Sequence, residues 1–64
     1  MSTSRYYFEI YRDGTPVRRW RWRLKAGNGE NVANGGEGYS TKQACEMAVE
    51  RIRENAGNAD IRYV

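Results

Sequence analysis

Apolar and polar residues alternate from Arg5 to Arg12 and again from Arg19 to Ala26, whereas from Ala44 onward the apolar positions recur every three or four residues. A period of two belongs to a strand with one buried face, and a period near 3.6 to a helix with one buried stripe. In the first segment Tyr6, Phe8 and Ile10 share one parity and Tyr7, Glu9 and Tyr11 the other. In the second, Trp20, Trp22, Leu24 and Ala26 alternate with Arg19, Arg21, Arg23 and Lys25, which predicts a half-buried strand with a cationic outer side. Asp13-Gly14 and Thr15-Pro16 separate the two strands. Asn28-Gly29 readily takes the positive φ angles of a tight hairpin turn, so the chain is expected to return antiparallel into a third strand over residues 30–33.

The glycines at 35, 36 and 38 let the chain reverse, and Ser40 followed by Gln43 fits a capping box opening a helix. Ala44, Cys45, Ala48, Val49, Ile52 and Ala56 lie along one stripe of that helix, with Lys42, Glu46, Glu50, Arg53 and Glu54 pointing away. Gly57 is placed to end it as a C′ glycine. Residues 59–64 alternate again, Ala59, Ile61 and Tyr63 against Asp60 and Arg62, and predict a short terminal strand. The expected fold class is α+β: a β-β-β-α-β unit whose antiparallel meander packs against one amphipathic helix. Residues 1–4 precede the first strand and are expected to be disordered.

A chain of 64 residues supports one hydrophobic core, so residues 1–64 form a single domain. A domain this small is marginal alone and is usually secured by disulfides, a metal or a partner subunit. The chain has one cysteine, Cys45, and no histidine, so an intrachain disulfide is impossible and a zinc site would need carboxylates. Association remains, and a homodimer is expected, with Ala59, Ile61, Tyr63 and Val64 at its interface.

The net charge of +3 is unevenly placed. Residues 1–25 carry seven cations against two acids, +5, and residues 26–64 four cations against six acids, −2. The basic half is the sheet. No apolar run is long enough to span a membrane, and the N-terminus lacks the apolar stretch of a signal peptide. A cytoplasmic location is therefore expected, and a lone free cysteine suits that reducing compartment.

At Phe8-Glu9-Ile10-Tyr11, Trp20-Arg21-Trp22-Arg23-Leu24-Lys25-Ala26, Asn28-Gly29-Glu30 and Glu37-Gly38-Tyr39-Ser40 the sequence resembles the YegP-like family of small domains. The resemblance covers nearly the whole chain. It implies a β3-α-β unit that occurs as tandem repeats or as homodimers, two units forming one continuous sheet with exchanged C-terminal strands. One unit is present here, so the resemblance implies the homodimer. It carries over no catalytic or ligand residues, because no activity is established for that family. The first turn, with Gly14-Thr15-Pro16-Val17-Arg18, departs from the family pattern by its length.

One constellation looks like a recognition surface: Arg19, Arg21, Arg23 and Lys25, with Tyr7 and Tyr11 as neighbours on the first strand. Arginines and aromatic rings on a sheet can pair with phosphates and stack on bases, which makes weak nucleic-acid binding the alternative functional reading. The simpler reading is a solvated face, with Glu9 and Asp60 offering cross-strand ion pairs and arginine stems covering tyrosine rings. The glycine loop before the helix does not match a P-loop, since no Gly-Lys-Ser/Thr follows and Glu37 would repel a phosphate. Cys45 sits on the apolar stripe without a base, and Glu46, Glu50 and Glu54 follow one another along the exposed helix face. No nucleophile has an activating partner, no metal cluster is apparent and no cofactor is expected. The sequence is therefore read as a non-catalytic, homodimeric structural or protein-interaction module.

Overall fold

A computed structural model describes residues 5–64, so the expectation of disorder at residues 1–4 lies outside the described residues. Three strands, β1 (Tyr7–Arg12), β2 (Trp20–Lys25) and β3 (Asn31–Asn34), precede a 14-residue helix, α1 (Lys42–Asn55). The sheet is an antiparallel meander in the order β1-β2-β3. Its six-residue β1–β2 ladder places Phe8 opposite Leu24, Ile10 opposite Trp22 and Arg12 opposite Trp20. Those side chains form the inner face, against which α1 packs, and the edge of the Phe8 ring meets Trp22 with centroids 5.8 Å apart. The α+β meander-plus-helix expectation holds.

The β1–β2 connection is organised by one carboxylate. Asp13 Oδ1 accepts hydrogen bonds from the backbone N–H of Thr15 and Arg19 and from the Thr15 hydroxyl, while Oδ2 accepts from Arg21 Nε at 2.8 Å. This pulls six residues into a closed loop that ends at Arg18, held in the left-handed region with φ 56°. The β2–β3 turn closes with Ala26 N–H donating to the Glu30 carbonyl and Gly29 at φ 91°, where a residue without Cβ is favoured. Asn28 keeps a negative φ and instead accepts from Glu30 N–H through its side chain, which makes the loop longer than a two-residue turn. The third strand accordingly starts one residue later than the pattern suggests.

Two helix boundaries also differ from the expectation. The N-cap is Thr41, whose hydroxyl accepts from Ala44 N–H at 3.1 Å, and not Ser40. Tyr39 explains the shift: its N–H and carbonyl both bond to Trp20, so the chain is still extended beside β2 at that point and can turn into the helix only afterwards. At the other end Gly57 does not adopt positive φ. The chain runs on through a 3-10 turn, Ala56–Asn58, closed by Ala59 N–H donating to the Ala56 carbonyl at 3.1 Å.

Within the described residues of one chain only Cys45 and Val49 are buried; Phe8, Ile10, Trp20, Trp22, Leu24 and Ile52 are half-covered. Residues 59–64 are not a strand in the single chain. Ala59 leaves the 3-10 turn in extended conformation, and in the segment that follows Ile61 is 82% and Tyr63 94% exposed. Pairing defines a strand, and among the described residues no strand of the same chain pairs with this segment. No helix is long and apolar enough to cross a membrane among the described residues.

Candidate interaction surfaces

Strand alternation puts Tyr7, Glu9 and Tyr11 of β1 and Arg21, Arg23 and Lys25 of β2 on the outer face, as the sequence indicates. The register sets Tyr7 opposite Lys25, Glu9 opposite Arg23 and Tyr11 opposite Arg21, with Arg19 just before the strand. Glu9 Oε1 accepts from Arg23 Nε at 2.7 Å, and the Arg23 guanidinium lies 4.4 Å from the centre of the Tyr11 ring. The Arg19 stem passes over Gly38, where any Cβ would collide with it. Six residues singled out from the sequence are thus brought to one surface.

Two of the four cations of this surface are engaged with acids. Arg21 is bound by Asp13 and Arg23 by Glu9, and each guanidinium is driven further toward its protonated form chiefly by that hydrogen bond. Reciprocally, the Arg21 hydrogen bond, followed by that of the Thr15 hydroxyl, lowers the Asp13 carboxyl from 3.8 to about 2. The second acid of the face is Asp13 in place of the expected Asp60, because Asp60 lies on the outgoing terminal segment whereas Asp13 is curled under the β1–β2 loop. Asp13 was legible only as a turn residue, since its reach across eight positions to Arg21 depends on the loop's closure.

A second surface lies beside the helix. Tyr39, Ala48, Ile52, Ala56 and Ala59 line an open groove with Arg51 and Asn55 at its rim. It exists because the helix presents alanines there: Ala48 and Ala56 leave unfilled the space that longer side chains would occupy. The groove ends where residues 59–64 depart. Cys45, by contrast, is fully enclosed, and burial first, then the neighbouring Glu46 carboxylate, pushes its thiol pKa up and keeps it protonated. On the far side of α1 Glu50 is paired with Arg53 at 2.9 Å in an exposed contact. Neither arrangement supplies an activated nucleophile.

The model of a Domain of unknown function (DUF1508) matches residues 18–62. A UPF0339 protein of Neisseria meningitidis serogroup B is 43% identical over 58 residues, covering 91% of this chain and 98% of the relative. Another, of Treponema denticola, is 46% identical over 54 residues, covering 84% and 88%. The solution structure of a protein from Haloferax volcanii superposes with a TM-score of 0.82 at 34% identity, spanning 97% of this chain and all of that one. The observed β-β-β-α order, the tryptophan-arginine strand and these whole-length likenesses agree, and the chain belongs to the DUF1508/UPF0339 family, the YegP-like domains of unknown function.

Proposed function

We propose that the protein works as a non-catalytic homodimer, a structural or protein-interaction module in which residues 59–64 of each copy complete the sheet of the other. The observation that carries this reading is the terminal segment: alternating in sequence, leaving the 3-10 turn through an extended Ala59, and with Ile61 and Tyr63 almost fully exposed. Beyond Ala59 N–H, its backbone makes no hydrogen bond among the described residues. Burying such side chains contributes about 1.5–3 kcal/mol each, and pairing a strand covers an otherwise open sheet edge. The 3-10 turn leaves no slack for residues 59–64 to fold back onto their own sheet, so a second copy offers the accessible edge. The half-covered inner face supports the same conclusion, because two buried residues are a small core for a domain of this length.

Sedimentation equilibrium at micromolar concentration is expected to give twice the monomer mass. Isotope-filtered NMR on a mixed labelled and unlabelled sample should show contacts from Ile61 or Tyr63 to the other copy. A folded, monodisperse monomer across that range overturns the proposal.

A further inference from the structure

Arg21 and Arg23 of the outer face are held by acids, whereas two cations of the inner side gather at one indole without one. The Arg12 guanidinium donates through Nε and Nη2 to the backbone carbonyl of Arg18, at 3.3 and 3.1 Å, and lies 5.2 Å from the centre of the Trp20 ring. Lys42, the first residue of α1, places its ammonium 5.9 Å from the same ring. Neither takes part in an ion pair among the described residues, and no acid lies in the first turn of the helix. Asp13, next in sequence to Arg12, is turned to the outer face and occupied by Arg21.

Two like charges sharing one indole repel each other, and a carbonyl and a π face orient a guanidinium without cancelling its charge. Arg12 keeps Nη1 unbonded among the described residues. Arg18 holds the receiving carbonyl through a backbone conformation that a non-glycine residue adopts only at a cost. A positive-φ residue orienting a charge-bearing side chain that has no acid to satisfy is a preorganised anion receptor, unlike the self-neutralised Arg21 and Arg23.

We infer that Arg12 and Lys42, set about Trp20 at the loop end of the sheet, bind a phosphate group, as a free phosphate compound or as part of a nucleic-acid backbone. Phosphate suits the pair because a guanidinium offers parallel N–H donors and an ammonium a compact charge, together matching a multiply charged oxyanion. The site lies on the inner side of the β1–β2 ladder, distinct from the outer face.

The test is an NMR titration of the whole protein with inorganic pyrophosphate and, separately, with a short oligothymidylate, following the two indole N–H signals and the arginine Nε–H signals. Saturable shifts at Trp20 and Arg12, with Trp22 and Arg23 unmoved, are expected. Response to both probes points to a phosphate compound in general, and response to the oligonucleotide alone to a nucleic-acid backbone; either supports the site. Lys42→Gln, at an exposed position, should weaken oligonucleotide binding and reduce its salt slope by about 1, Arg12→Gln should weaken it again, and Arg21→Gln should leave the Trp20 response in place. Absence of a saturable Trp20 shift with both probes at millimolar concentration overturns the inference, as does an unchanged response in Lys42→Gln.

Discussion

The β1–β2 loop and the terminal segment are both irregular, both about six residues long, and opposite in how they are specified. In the loop, Asp13 alone gathers two backbone N–H groups, a hydroxyl and a guanidinium, and Arg12 adds a further clamp on Arg18. In the segment of residues 59–64 Ile61 and Tyr63 are bare, and beyond Ala59 N–H no backbone group is hydrogen-bonded among the described residues. Irregular backbone persists where local polar groups over-determine it, and an extended segment lacking such groups acquires its shape from whatever it pairs with. One chain therefore contains a region complete in itself and a region left open, which the proposed dimer would complete.

Removing residues 59–64 strikes the dependent region and carries the largest effect: loss of the dimeric mass together with loss of a cooperative melt, read by sedimentation and calorimetry. A truncated chain that keeps both would make the two regions equally self-sufficient and end the comparison. Asp13→Asn strikes the self-contained region. It should lower the melting temperature while leaving the dimeric mass intact, since it touches nothing in the groove or the terminal segment.

Acid sharpens the same contrast. The Asp13 carboxyl titrates at about 2 in the folded protein against 3.8 ordinarily, so between those values the unfolded chain holds the proton and the folded one does not. Its contribution is complete above pH 3.8 and disappears as pH falls toward 2. Wild-type denaturation midpoints should fall through that window more steeply than those of Asp13→Asn, and parallel curves would show the carboxylate to be uninvolved. The smallest effect belongs to Thr41→Ala, which removes the hydroxyl bonded to Ala44 N–H and should cost about 1 kcal/mol by urea denaturation, with no change in oligomeric mass.

Much of this architecture was written in periodicity. The alternation of Trp20, Trp22 and Leu24 with Arg21, Arg23 and Lys25 fixes both faces of β2, and the stripe through Cys45, Val49 and Ile52 fixes the inward side of α1. Boundaries were less legible, because they depend on contacts between distant residues. Thr41 replaces Ser40 as the cap only because Tyr39 is tied to Trp20, nineteen positions upstream. Gly57 looked like a stop because glycine permits positive φ, yet permission is not requirement, and the chain passes through it in a 3-10 turn. The outer face was legible in membership and not in charge state, since nothing in spacing says that Asp13 curls back to Arg21. Arg12 was hidden by its parity: it occupies an inward position opposite Trp20, where an apolar residue would be expected and its guanidinium lies over the indole instead.

Ion pairing on the outer face also decides how the molecule would approach a charged surface. A charge in contact with its opposite acts at a distance as a dipole, whose field dies away faster than that of an isolated charge. With Glu9 on Arg23 and Asp13 on Arg21, the broad face of the sheet contributes little far-reaching field at its centre. Arg12, Arg18, Arg19 and Lys42 at the loop end, like Lys25 at the other end of β2, have no acid bound to them among the described residues. Were the inferred phosphate site to engage a polyanion, this unpaired charge at the loop end would draw that end toward it.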